Sequence, residues 1–146
     1  MWIKTSRLYQ KLIKEKQIFT EVGAYVLGSI DPGLIVVSGN LDKKFNMNDG
    51  EQAIWEVLED LKLNGVKQHE LDKLKNKMET QEKFSLMNIL NIAMKLSFSE
   101  LMCDANKINT DLEEYGKVTP EKMQELAKEI FVKENLSVLE YYSKKK

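Results

Sequence analysis

Phe19-Thr20-Glu21-Val22-Gly23-Ala24-Tyr25-Val26-Leu27 and Leu34-Ile35-Val36-Val37, with Ser29-Ile30-Asp31-Pro32-Gly33 between them, decide the fold. Both flanking runs are rich in β-branched and aromatic residues, which suit a pleated, half-buried strand. Proline fixes φ at one turn position and glycine tolerates the next, so the intervening segment is a reverse turn joining antiparallel strands. Gly23, Gly28 and Gly39, in or beside the strands, point to bulges or to places where another group approaches the backbone closely.

Helical periodicity surrounds this hairpin. Upstream, Leu8, Leu12 and Ile13 recur at helical spacing, with Ser6 or Thr5 as N-cap, and predict a helix through about Lys16. Downstream, Asn48 or Asp49 is expected to cap a helix with the apolar face Ile54, Val57, Leu58 and Leu61, stopped at Asn64-Gly65. A second helix begins near Gln68 and runs through Leu71, Leu74 and Met78. No proline or glycine occurs between Val66 and Tyr115, which predicts one or two long helices there. The residues from Phe84 to Phe98 are apolar nearly all round, the pattern of a helix buried on every side, with its methionines as core filler. Asp111 to Tyr115 forms a short helix ending at Gly116. Thr119-Pro120-Glu121 starts another, with Thr119 as N-cap, proline at the first helical position and an acid facing the dipole; Met123, Leu126, Ala127 and Ile130 are its buried stripe. Asn135 to Tyr142 returns to strand character, with Val138 and Leu139 as core members. Strands followed by a run of helices indicate an α+β fold, an antiparallel sheet with helices on one face. So few strands leave sheet edges uncovered, and a first strand is expected to be missing or supplied by a partner.

The chain has 146 residues, 42% of them hydrophobic and 31% charged, with 22 basic against 23 acidic groups and a net charge of -1. That suits one soluble domain spanning 1–146. So even a balance excludes the concentrated positive charge that nucleic acid or an anionic membrane demands, and Lys144-Lys145-Lys146 reads as a solvated end. The single cysteine, Cys103, precludes an internal disulfide and, between apolar neighbours, reads as buried filler. No stretch approaches the roughly 20 apolar residues of a membrane span, and Met1-Trp2-Ile3-Lys4 leads into amphipathic sequence without a signal peptide. A cytoplasmic or periplasmic location is compatible with both facts.

The only histidine lies in His69-Glu70-Leu71-Asp72-Lys73, which has the outline of H-E-x-x-H. Lysine occupies the second ligand position, and catalytic zinc needs three protein ligands, so His69 reads as an exposed first-turn residue. No serine nor Cys103 has a second histidine to pair with, and no G-x-S-x-G, G-x-G-x-x-G or Walker loop occurs. The acids Glu79, Glu82, Glu113 and Glu114 lie on charge-dense helical faces beside Lys75 and Lys83. No catalytic constellation emerges.

Thr5-Ser6-Arg7-Leu8-Tyr9-Gln10-Lys11-Leu12, followed by Lys14-Glu15-Lys16-Gln17, resembles the S-S-R-L-Y/F-x-x-L-R pattern of C-terminal domains in the insulinase–pitrilysin–mitochondrial processing peptidase family of zinc metallopeptidases. Ala24-Tyr25, Asp31-Pro32-Gly33-Leu34-Ile35-Val36-Val37-Ser38-Gly39, the helix from Glu51 to Leu61, Gly65-Val66 with Glu70-Leu71, and Val118-Thr119-Pro120-Glu121 follow in the family's order, so the likeness spans about Thr5 to Tyr142. It implies an α+β domain of the later half of such a peptidase. The first half would carry H-x-x-E-H and a distal glutamate for zinc, and nothing here matches that motif, so no metal residue transfers and the chain alone is expected to be inactive. The later half contributes substrate-holding groups, typically an arginine after the helix leucine and a tyrosine further on. Ile13 stands at the arginine position, and Tyr25, the candidate substrate contact, lies further downstream than the family spacing. The resemblance therefore implies a non-catalytic segment that closes a chamber and holds an extended peptide beside a zinc-bearing N-terminal half. The other reading it allows is a catalytically inactive structural or assembly subunit. Exposed edges would also favour a homodimer.

Overall fold

The computed structural model describes residues 6–28, 31–102 and 104–142. Thr5, Ser29, Ile30, Cys103, Met1 to Lys4 and Lys144 to Lys146, which carried expectations about a cap, a turn, a buried thiol and the two chain ends, lie outside them. The chain divides into two compact units, Met1–Leu63 with Ala127–Lys146, and Asn64–Leu126.

In the first unit Ser6 caps the opening helix, its Oγ accepting the Tyr9 N–H at 3.2 Å. From Tyr9 to Glu15 the helix widens into π-type turns, and the Lys16 N–H donates to the Lys11 carbonyl at 2.9 Å. The strands β1 (Phe19–Leu27) and β2 (Leu34–Leu41) pair antiparallel, from Phe19 opposite Leu41 to Leu27 opposite Leu34. A bulge interrupts the register between Phe19 and Glu21. Of the glycines expected to mark a bulge or a close approach, Gly39 does so, whereas a Cβ on Gly28 would meet open space; Gly33, ahead of β2, is a further close approach. A Cβ on Gly39 would lie 2.7 Å from the Glu21 carbonyl oxygen and 2.8 Å from the Phe19 ring, and one on Gly33 would lie 2.0 Å from the Leu27 oxygen.

α1 (Met47–Asn64) starts two or three residues earlier than the sequence suggests. Asn46 is the cap: its side chain accepts the Asp49 N–H at 2.9 Å while the Asp49 carboxylate accepts the Asn46 N–H at 3.1 Å. Its buried stripe is Gly50, Ala53 and Val57. A Cβ on Gly50 would stand 2.6 Å from Leu41 Cδ2, so glycine here lets the helix approach β2. Leu12, Phe19, Val22, Ala53 and Val57 form the core, with Leu8, Ile13, Ile18, Val37, Leu41 and Ile54 packed around it. Each large member contributes about 1.5–3 kcal/mol by leaving water. The Lys62 ammonium donates to the Phe131 carbonyl at 3.1 Å, tying α1 to the chain's last segment.

The second unit is helical. Gly65, at φ +63, follows α1 where a left-handed residue is needed. α2 (Gln68–Ser85), α3 (Ile89–Leu101) and α4 (Lys107–Gly116) replace the one or two long helices expected. Asn88 makes the break after α2, its side chain accepting the Leu90 N–H at 2.9 Å as a new N-cap. Asparagine can end one helix and begin another without proline or glycine. α5 (Pro120–Ile130) begins as expected, the Thr119 hydroxyl accepting the Lys122 N–H at 3.3 Å. Of its stripe Ala127 is buried and Leu126 is exposed.

Two further expectations fail. The apolar run from Phe84 to Phe98 is not buried on every side: Phe84, Met87, Ile89, Leu90, Met94 and Phe98 are all exposed. Periodicity reports which faces need a cover, but not whether the same chain supplies it. Asn135 to Tyr142 is not a strand either. After a short 3₁₀ turn at Lys133–Asn135 the chain runs without a ladder partner among the described residues, and Val138 and Leu139 are exposed. An extended segment is a strand only where another backbone accepts its hydrogen bonds.

Candidate functional site

Strand alternation assigns the two faces of the hairpin. Val22 and Val37 lie on the side that packs against the core, whereas Tyr25 and its cross-strand partner Val36 belong to the opposite face. Tyr25 is 50% exposed. Beyond it Val26, Leu27, Leu34 and Ile35 are exposed as well, so the distal half of the hairpin is apolar and bare on both faces. Among the described residues β1 pairs only with β2, which leaves its other edge with unpaired backbone groups. This edge, with Tyr25 beside it, is the candidate peptide-binding element.

Ile13, at the position where the family pattern has arginine, packs against the core around Leu12. The nearby cations are engaged elsewhere: Arg7 Nη1 lies 3.9 Å and Lys11 Nζ 2.6 Å from the Asp60 carboxylate. A shallow, open groove of about 360 Å³ lies in the same unit between Lys16, Ile18, Phe45, Asp49, Gln52 and Glu56. Its charges are already used, Lys16 in an ion pair with Glu56 and Asp49 in the α1 cap.

His69 is exposed in the first turn of α2, and Lys73 one turn on is exposed too. Among the described residues no three His, Cys, Asp or Glu side chains converge as metal ligands. The donors here do not fit the zinc that the family implies. Glu82 and Asp111 do approach a common point, but a lysine fills it. Lys95 on α3 pairs with Glu82 of α2 and lies 3.8 Å from Asp111 of α4. Sequence reasoning had no signal for this cluster, because its members are far apart in the chain.

The perturbed titrations are local. Its own backbone N–H and the Thr119 hydroxyl hold the Glu121 carboxyl below the usual carboxylate range. The Glu114 carboxylate, hydrogen-bonded to Lys117, raises that ammonium, and Glu140 raises the Tyr142 phenol in the same way. None of these groups borders the β1 edge in sequence, and none forms an acid–base pair suited to hydrolysis.

The family model described as the peptidase M16 inactive domain matches residues 3–78, just over half of the sequence. The chain belongs to the peptidase M16 family. It is an M16 domain of the non-catalytic, C-terminal type. Solved structures share its fold. A proposed zinc protease from Bordetella pertussis Tohama I superposes with a TM-score of 0.79 at 20% identity, over 91% of this chain and 73% of that one. The inactive peptidase domain of a proposed zinc protease from Bordetella parapertussis gives 0.83 at 19% identity, over 97% and 77%. A protease from Helicobacter pylori gives 0.75 at 17% identity, where this M16 domain spans 87% of itself but only 31% of that larger chain. No curated protein matches the sequence. No described helix of the M16 domain is long and apolar enough to cross a membrane.

Proposed function

We propose that this M16 domain works beside a zinc-bearing N-terminal catalytic half, closing a chamber and holding an extended peptide along the free edge of β1. The observation that carries the reading is a strand edge without a ladder partner among the described residues, flanked by the exposed apolar residues Tyr25, Val26 and Leu27. Backbone hydrogen bonds along such an edge give affinity with little demand on peptide sequence, and neighbouring side chains give selectivity. Tyr25 is the proposed contact. Zinc and water activation belong to the other half, since the donor set here suits neither.

The test is fluorescence anisotropy with a labelled, unstructured peptide, using the domain together with its catalytic half. Tyr25→Ala should weaken binding several-fold, and Val26→Pro, which removes an edge N–H, should weaken it further. N-methylation of the peptide backbone should act like Val26→Pro. Unchanged affinity in all three would reject the edge as the binding element. One observation favours a second reading, a purely structural or assembly role: Ile13 is used for packing where the family pattern has a cation for substrate. A catalytic half whose gene lacks H-x-x-E-H, together with no peptide binding, would decide for that role.

A further inference from the structure

α3 is amphipathic in the reverse sense. Its inward face carries Lys95, paired with Glu82, and Ser99, which is 5% exposed. Its outward face carries Leu90, Met94, Phe98 and Leu101, each more than half exposed, with the small residues Ala93 and Ser97 alongside, also exposed. At 100° per residue these six fall within one sector of the helix, a ridge about 16 Å long over its three turns. From their exposed fractions the ridge offers roughly 500 Å², and Met87 and Ile89 on its approach bring that to about 800 Å². That exceeds the largest apolar patch usual for a monomer, about 300–600 Å², and equals one partner's share of a standard interface, about 800 Å².

We propose that this ridge binds a second copy of the same chain, as an antiparallel pair of α3 helices about a two-fold axis. The ridge is complementary to itself in that arrangement. With the axis passing between Lys95 and Leu96, Phe98 meets Ala93 of the partner, Met94 meets Ser97, and Leu90 meets Leu101. At the two central contacts a large residue faces a small one, leucine meets leucine at each end, and the two-fold repeats each contact. Ser97 suits a dry seam because its hydroxyl already donates to the Ala93 carbonyl at 2.8 Å. The charge pattern agrees. α3 has no acid in its first turn, while Glu100 sits in its last turn, the wrong end for its own dipole. Glu100 accepts the Ala105 N–H at 3.3 Å. Antiparallel pairing places it beside the N-terminus of the partner's α3, where its charge is favourable. A parallel pair would set Phe98 against Phe98 and Glu100 against Glu100.

Sedimentation velocity of the full chain over a concentration series tests the pairing. The unaltered chain should dimerise in the micromolar range or tighter, and Phe98→Glu should weaken the dimer about 30-fold or more with an unchanged circular dichroism spectrum. Register is tested separately by oxidation in a Cys103→Ser background. Leu90→Cys and Leu101→Cys chains should crosslink when mixed, and neither should crosslink alone. A chain that stays monomeric at the highest concentration, including one whose ridge is taken up only by the catalytic half, overturns the proposal. So does a dimer indifferent to Phe98→Glu, or self-crosslinking by either cysteine variant alone.

Discussion

Leu12→Ala is the sharpest test of how the first unit is held together. Leu12 is 0% exposed and sits among Phe19, Val22, Ala53 and Val57, where the opening helix, β1 and α1 meet. Truncation removes three carbons, about 2.4 kcal/mol of transfer free energy at roughly 0.8 kcal/mol each. If nothing moves, the vacated space of roughly 80 Å³ adds about 1.9 kcal/mol at about 24 cal/mol per Å³. The opening helix can relax by part of that, so the expected loss is about 3 kcal/mol, bounded by about 2.4 and 4.3 kcal/mol. Urea unfolding followed by the fluorescence of Trp55, which lies on α1 in the same unit, reads this directly. At an m-value near 2 kcal/mol/M the midpoint should fall by about 1.5 M with the slope unchanged. The control is Leu101→Ala, which truncates a 66% exposed leucine and should move the midpoint of the diluted, monomeric chain very little. A drop below about 0.5 M for Leu12→Ala would mean that these three elements do not share one core.

Gly50→Ala should destabilise despite alanine's better helix propensity. About 1 kcal/mol of propensity is outweighed by a Cβ placed 2.6 Å from Leu41 Cδ2, and chemical denaturation should show a net loss of about 1 kcal/mol. Asn88→Ala removes the α3 cap and should cost about 1 kcal/mol, with faster amide exchange confined to the first turn of α3. The start of α5 should be acid-sensitive. Glu121 has a lowered carboxyl pKa in the fold, so its contribution is present above its unfolded pKa of about 4.3 and is lost as pH falls through the lower folded value. An NMR titration of the Glu121 side chain and nearby amides should show this midpoint, and Glu121→Gln should abolish the pH dependence of exchange there.

Sequence made the hairpin legible because its signals are short-range and redundant. Strand residues from Phe19 and from Leu34 both specify one antiparallel pair, and the observed register runs from Phe19 opposite Leu41 to Leu27 opposite Leu34, while the turn expected between them falls partly outside the described residues. Thr119-Pro120-Glu121 was legible for the same reason, since cap, proline and acid act within one turn. The α1 cap was misplaced because Asn46, Asn48 and Asp49 all have the chemistry, and only the reciprocal bonds of Asn46 and Asp49 decide between them. Tyr25 was legible as a strand aromatic. Its place on the face away from the core depends on pairing parity with Val36, which the sequence leaves open. The Lys95, Glu82 and Asp111 cluster was illegible, because a lysine in an apolar run gives no sign of which acids will meet it.

The two failed expectations share a physical cause. Strand character at Val138 and Leu139, and apolar character all round the segment from Phe84 to Phe98, are both statements about surface that must leave water. In a closed single-domain protein that need is met within the chain, and composition then predicts burial. Here the need is left standing in both units: on the distal hairpin and the last segment of the first, and on the ridge of α3 in the second. The exposed apolar surface is therefore not noise in the reading. α3 makes this plain, because it places Lys95 and Ser99 inward, where an unpaired polar group costs most, and keeps Leu90, Met94, Phe98 and Leu101 outward. A helix selected only to cap a solvated face would be arranged the other way round. Its polarity makes sense when the solvent side is an interface, and it is the strongest reason to regard this M16 domain as one part of an assembly.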